Sequence, residues 1–517
     1  MITAGPSTGF TPLDWLVVAG YILLVAGLGI YLSRRGAASA SDYFLAGGTM
    51  PASLICFSVL ATTQSAATFL GGPDSGYGGD LTYVATGLAA IIASLIVGLV
   101  LLPRYYAIGA QTAYDFLETY FGVAATRTAG GFYLVGRVLA NGARLYLAAL
   151  AVAMIMFQSA AWGEIVVACA AISVVALAFT IVGGLRSVVA SDAFQFAIYT
   201  STALALLVFL YFAIDMTPGE IVTSLRDGPG GVDKTVIFDT SFRMDDPFTL
   251  PAILTGIVLL NVANFGMDQD TTQRLLSARS SRHATGALVW AGILTIPIVF
   301  VFVMIGQLLW LFYQQNPQPV GDLASETVFM TFILTELPTG VRGLATTGVL
   351  AAAVSTLNSS YNSMSSVIVG DFYRPLVPGR SERHYLRIAR ITMVLVATAL
   401  FAMAVLCIEW QRSSDMPLLA FALQIMIFAY SGLLGAFGVA ILTKRGSTAS
   451  VIAAMFVGFA VTALLEPAIG QPLGIPAGLV GLAFPWKICI GAIIAFLVAA
   501  MGNNRRPVEP APAARQR

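Results

Sequence analysis

The chain has 517 residues, of which 57% are hydrophobic and only 10% charged, and its formal net charge is +1. That composition excludes a soluble globular domain and describes an all-α polytopic membrane protein; the near-neutral charge says nothing about nucleic acid or acidic partners. Its four cysteines lie in apolar runs without metal or redox spacing, and its two histidines sit in arginine-rich loops, so no zinc site can be assembled.

Taken in order, apolar runs of spanning length fall near 13–33, 50–71, 82–102, 128–157, 163–182, 189–214, 249–269, 284–313, 343–371, 387–408, 416–442, 448–468 and 480–502, which predicts about thirteen transmembrane helices. No basic stretch precedes the first run, so it reads as a retained helix rather than a signal peptide. Basic residues divide nineteen against six between alternate connections, Arg274 counting with the first set and Arg342 with the second. The richer set is expected in the cytoplasm, which places the N-terminus outside and the C-terminus inside. Residues 215–248 are polar and mostly acidic and read as an external loop. Residues 315–342 contain TVFMTFIL, too short to span and suited to a re-entrant or amphipathic segment near the outer mouth. The tail from 503 to 517 is rich in Pro, Ala and Arg and is expected to be disordered.

Internal symmetry follows from two interrupted spans. The second, LICFSVLATTQSAATFLGG, is broken by polar residues, and the seventh, LPAILTGIVLLNVANFGMDQD, is interrupted at Asn261–Gly266. They lead two blocks of five helices, 50–214 and 249–442. Five is odd, so the second block enters the membrane inverted. Paired broken helices leading inverted blocks point to a binding site at the bilayer midplane. Residues 1–49 then form a leading helix and inner loop, and 443–502 two C-terminal helices.

Intramembrane polar residues give that site its chemistry. Along Gly343 to Asp371, Ala352, Ser355, Thr356, Ser359, Ser363 and Ser366 fall on one helical face. Such a face suits close helix packing, and its uncharged oxygens also suit a desolvated alkali cation. Asp192 sits just inside the sixth span at a depth compatible with Ser359, where a carboxylate is functional by default or else a partner for Arg186. Arg137 and Arg144 lie seven apart on one face of the fourth span. One of them is available to pair with Asp192 or helix-end carbonyls and the other to meet an anion.

Three stretches, GGLRSVVASDAFQ, DQDTTQRLLSAR and AAAVSTLNSSYNSMSSVIVGDFY, resemble motifs of the sodium:solute symporter family, in the right order over roughly residues 41–445. The resemblance implies an inverted five-helix repeat (LeuT-like) fold with an extra leading helix. It also implies a sodium site made of the backbone carbonyls of Ala61, Gln64 and Ala352 and the hydroxyls of Ser355 and Thr356. Some members hold a second sodium at positions matching Asp192 and Ser359; Asn358 stands where some of them carry a hydroxyl. Thr63, Ser65 and Thr68 occupy substrate-contacting positions and look more like the sialic acid branch than the sugar branch. Asn261 matches a polar position of the sugar branch, and Asn264 falls where that branch has a gating tyrosine. Arg144 lies near the position where a basic residue meets the carboxylate in sialic acid carriers, and Gln424 lies near a polar position of the eleventh span.

The resulting expectation is a sodium-coupled symporter that imports a small organic solute by alternating access. It is expected to work as a monomer in a bacterial-type inner membrane. No acid lies beside Thr63, Ser65 and Thr68 to recognise an amine, so an organic carboxylate is the favoured solute, with a sugar, polyol or amino acid as alternatives. No Walker-type loop is present for an ATP-driven pump, and no nucleophile and base share a depth for an enzyme. A sensor reusing the fold would need an output domain, which the short tail does not supply.

Overall fold

The computed structural model describes residues 10–33, 40–228, 231–316, 325–413 and 418–503, so Arg34, Arg35 and the tail from 504 lie outside the described residues. Each apolar run read from the sequence is helical. The helices are α1 (Pro12–Ser33), α2 (Ala52–Thr63), α3 (Ala66–Gly78), α4 (Thr82–Ile108), α5 (Val123–Phe157), α6 (Trp162–Ile181), α7 (Gly184–Ala213) and α8 (Leu250–Gly266). They continue with α9 (Gln269–Leu276), α10 (Ser281–Gln315), α11 (Ser325–Thr335), α12 (Val341–Val367), α13 (Glu382–Arg412), α14 (Leu418–Leu442), α15 (Thr448–Leu464) and α16 (Phe484–Ala500). Among the described residues there is no strand, only an isolated bridge between Met50 and Ala278. Among the described residues eight helices are long and apolar enough to cross a membrane, and two bent pairs, α2–α3 and α8–α9, qualify together.

α12 fails that hydropathy criterion for a physical reason. Apart from Val341 and Leu344 the whole helix is buried, so its hydroxyls meet other helices rather than lipid. It packs against α6 and α7, α5, and both halves of the first bent pair. α14, α15 and α16 pack on one another beside α5. Backbones approach most closely where α3 crosses α10: a Cβ at Gly76 would stand 2.0 Å from the Val303 carbonyl oxygen, and one at Gly306 only 1.9 Å from that of Pro73. α6 and α7 join through Gly184, whose φ of +60° suits a residue without a side chain. There Tyr43 donates to the carbonyls of Thr180 and Ile181 at 3.4 and 3.3 Å, satisfying groups released by the bend.

Two arginines assigned from sequence to connections belong instead to the interior. Arg274 and Arg342 are both buried. One comes from each side of the charge count, so the inequality between the two sides survives.

Candidate functional site

The first break separates α2 from α3 by a 62° bend. Gln64 and Ser65 are extended there, with φ/ψ of −84°/107° and −115°/178°. No proline forces it. Just before the bend, Thr62 donates to the Ser58 carbonyl at 2.8 Å and Thr63 to that of Val59 at 3.0 Å, local bonds that compete with a continuous helix. Among the described residues no hydrogen bond reaches the carbonyls of Ala61 to Gln64. α12 packs against both halves of the pair. On it Thr356 donates to the Ala352 carbonyl at 2.9 Å and Ser355 to Asp192 Oδ1 at 2.7 Å. Both hydroxyl oxygens keep lone pairs for a cation. The five positions matched to the first sodium therefore lie on elements that touch.

Beside them the expected partnerships change. Asp192 Oδ2 accepts from Ser58 at 2.6 Å and from Arg274 Nη2 at 3.1 Å. The same Nη2 donates to Ser359 Oγ. Asp192 is thus neutralised by Arg274, not by Arg137, Arg144 or Arg186. Arg137 instead binds Asp268 Oδ1 through Nη2 at 2.6 Å and approaches Asp270 Oδ2 at 3.3 Å. Sequence reasoning gave Asp268 and Asp270 no role and read Arg274 only as part of a basic connection, although all three stand in the DQDTTQR motif. α9 carries only two apolar residues, Leu275 and Leu276, and reads as a solvated connection, yet it is buried throughout, so the sequence held no signal for this role.

Thr63, Gln64, Ser65, Thr68, Arg144, Asn261 and Asn264 line one cavity, together with Tyr83, Thr86, Thr295 and Met426, which sequence reasoning did not single out. Lone hydroxyls inside strongly apolar spans carry little signal of their own. Gln424 is not among the lining residues. On α14 it is Leu419, Ala422, Leu423 and Met426 that face the cavity at helical spacing. Gln424 turns to a second pocket and donates to Glu466. Arg144 is the notable group: its guanidinium lies 3.5 Å from Asn141 Oδ1 and 3.3 Å from Met426 Sδ. No carboxylate among the described residues forms an ion pair with it.

A small apolar cluster that includes Leu81, Tyr83, Val299 and Leu419 stands between this cavity and the second pocket, with Phe248 packed on it. Tyr83 meets Phe248 edge-on at 5.1 Å, and Leu419 lines both spaces. The loop before α8 roofs the second pocket through Arg243, Asp245 and Phe248. Within it, a hydrogen bond from Arg243 at 2.8 Å and further ones from Ser241 hold Asp239 down to about 2, so that carboxylate stays ionised at ordinary pH.

Comparison with known proteins gives the same picture. The sodium/sialic acid symporter SiaT of Proteus mirabilis is 28% identical over 466 residues, covering 89% of this chain and 90% of its own. The sodium-coupled monocarboxylate transporter 1 of Xenopus laevis is 26% identical over 92% of this chain and 75% of its own. A solved sodium-coupled sialic acid symporter in a substrate-bound, outward-open state superposes with a TM-score of 0.81 at 26% identity, covering 95% and 98% of the two chains. Mhp1, a nucleobase-cation symporter, shares the fold at a TM-score of 0.54 and 14% identity, over 90% of this chain and 94% of its own. The architecture is therefore the inverted five-helix repeat expected from the broken spans. With the family model matching residues 43–458, the chain belongs to the sodium:solute symporter family and is a multi-pass membrane carrier, not an enzyme.

Proposed function

We propose that this symporter imports a small organic carboxylate with sodium, and that Arg144 receives the carboxylate. The observation that carries the reading is a buried guanidinium, 8% exposed, lining the central cavity without an acidic partner. At membrane depth a charged side chain costs about 2.5–3.5 kcal/mol on insertion scales, and a carboxylate ligand offsets that through charge-assisted hydrogen bonds. Thr63, Ser65, Thr68 and Asn261 add neutral donors and acceptors around it. Relatives named for sialic acid and monocarboxylates support the same class.

Sodium binds between the first break and α12, through the carbonyls of Ala61, Gln64 and Ala352 and the hydroxyls of Ser355 and Thr356. Its arrival fixes the α2–α3 bend and so prepares Thr63, Ser65 and Thr68 for substrate. The apolar cluster around Tyr83 and Leu419 acts as the outer gate. Coupling is the affinity each ligand confers on the other and is reciprocal. The repeats run 50–214 and 249–442, joined by the external loop 215–248 and flanked by a leading helix within 1–49 and C-terminal helices within 443–502. The protein works as a monomer in the lipid bilayer of a bacterial-type plasma membrane, N-terminus outside. The test is uptake into proteoliposomes under an imposed sodium gradient, with sugars, amino acids and carboxylates as competitors. Carboxylates compete best, and Arg144→Lys, which keeps charge but loses the planar fork, lowers uptake at least tenfold. If neutral sugars compete best and Arg144→Gln transports normally, the carboxylate reading is wrong.

A further inference from the structure

Arg274 lies on the last turn of α9 and is wholly buried. Its Nε donates to Ser58 Oγ at 2.7 Å, its Nη1 to Asp270 Oδ1 at 2.6 Å and to the Asp270 carbonyl at 2.5 Å. Nη2 takes Asp192 Oδ2 at 3.1 Å and Ser359 Oγ. A carboxylate and hydroxyls from α7, α2 and α12 thus converge on one cation. That oxygen set is equally suited to a small hard ion. The guanidinium and a sodium ion cannot share it, because two like charges a few ångströms apart in a poorly polarisable interior repel strongly.

We infer that Arg274 is a tethered cation that holds the place of a second sodium beside Asp192 and yields it during the transport cycle. Two observations beyond the contacts themselves carry this. Asp270 already grips the far side of the guanidinium, and its buried Oδ2, an ion-pair neighbour of Arg137 Nη2 at 3.3 Å, accepts no hydrogen bond and so keeps acceptor capacity for the displaced group. Ser355, which donates to Asp192 Oδ1 at 2.7 Å, also belongs to the first sodium set, so the two places communicate through one hydroxyl. The device solves a problem every carrier of this kind meets. After releasing its cargo it must return empty, and a buried Asp192 with no counter-charge would oppose that return. Arg274 supplies the charge on the empty leg and withdraws to Asp270 on the loaded one.

The inference rests on the sodium-coupled reading, and the experiment separates the two. Binding of radioactive sodium to the purified full-length protein in detergent is measured beside sodium-dependent uptake in proteoliposomes. Wild type binds two sodium ions, the second more weakly. Arg274→Gln removes the competitor, so the second ion binds tenfold or more tightly, while Asp192→Asn/Arg274→Gln binds one. Should the glutamine variant fail to fold, Arg274→Lys, a weaker competitor with fewer donors, shifts the second affinity in the same direction by a smaller factor. A wild type that binds one sodium, or an Arg274 variant whose second affinity is unchanged or weaker, overturns the tethered cation while leaving sodium coupling intact. Uptake indifferent to sodium overturns the underlying reading and the inference together.

Discussion

The two broken helices of the repeats look like counterparts and are finished in opposite ways. At the first, between Thr63 and Ala66, the bend is 62° and the residues are neutral; the carbonyls of Ala61 to Gln64 receive no hydrogen bond among the described residues. At the second, between Gly266 and Gln269, the bend is 54° and the protein closes it with its own groups. Tyr105 donates to the Gly266 carbonyl at 2.5 Å and Tyr114 to that of Met267 at 3.0 Å. Asp268 caps α9 through the Asp270 amide at 2.9 Å, and its carboxylate is held by Arg137 at 2.6 Å and by Tyr430 at 2.6 Å. A break inside a membrane protein releases polar backbone that something must satisfy. Here one break leaves its carbonyls without hydrogen bonds among the described residues, as the proposed sodium site requires, and the other closes them with side chains. On the proposed function the first is the working half of the pair and the second its anchor.

The comparison is broken most forcefully at Arg137. Removing one partner of a buried ion pair strands the other charge and costs about 3–5 kcal/mol. Arg137→Gln is expected to lower the thermal unfolding midpoint of the purified protein sharply, and Asp268→Asn added to it restores part of the loss because the stranded carboxylate becomes neutral. An unchanged midpoint in the single variant means that charge does not hold the second break, and the anchor reading fails.

At the first break the same logic predicts a functional rather than a structural effect. Ser355→Ala with Thr356→Ala removes two uncharged oxygens from the face opposite the open carbonyls. The sodium concentration for half-maximal uptake is expected to rise at least tenfold, equivalent to about 1.4 kcal/mol. The substrate concentration for half-maximal uptake at saturating sodium should change far less. Ordinary sodium dependence in a folded double variant sinks the assignment.

How far the sequence foretold this contrast depends on the kind of signal. The first break was legible because its residues are polar inside an apolar run and sit opposite a hydroxylated face on α12. From Gly343 to Gly370 that span carries no charge, so the hydroxyls of Ser355 and Thr356 stand out against it. The anchor was not legible. Asp268, Asp270 and Arg274 look like an exposed polar connection, because hydropathy cannot tell solvated charge from charge paired with charge on distant helices. Arg137 and Asp268 are 131 residues apart, and Arg274 and Asp192 82. Gln424 illustrates the opposite error: a polar residue at a plausible depth on α14, yet on a face directed to Glu466 rather than to the cavity.

The smallest effect should come from the tyrosines that close the second break, and it tests whether open carbonyls alone make a cation site. Tyr114→Phe removes one hydroxyl from the Met267 carbonyl with little change in shape. Stranding one buried carbonyl in this way costs about 1–3 kcal/mol, so a drop in unfolding midpoint smaller than that of Arg137→Gln is expected. Sodium dependence should stay within about twofold of wild type, because a freed carbonyl recruits an alkali ion only with several other oxygens at hand. Near Met267 the obvious candidates are already engaged: Asp268 Oδ1 by Arg137 and Oδ2 by Tyr430. The Tyr105→Phe variant, which releases the Gly266 carbonyl, should behave alike. If either substitution creates a new, tighter sodium dependence of uptake, the two breaks differ only in what covers their carbonyls. If neither does, the hydroxylated face of α12 is what turns the first break into a site.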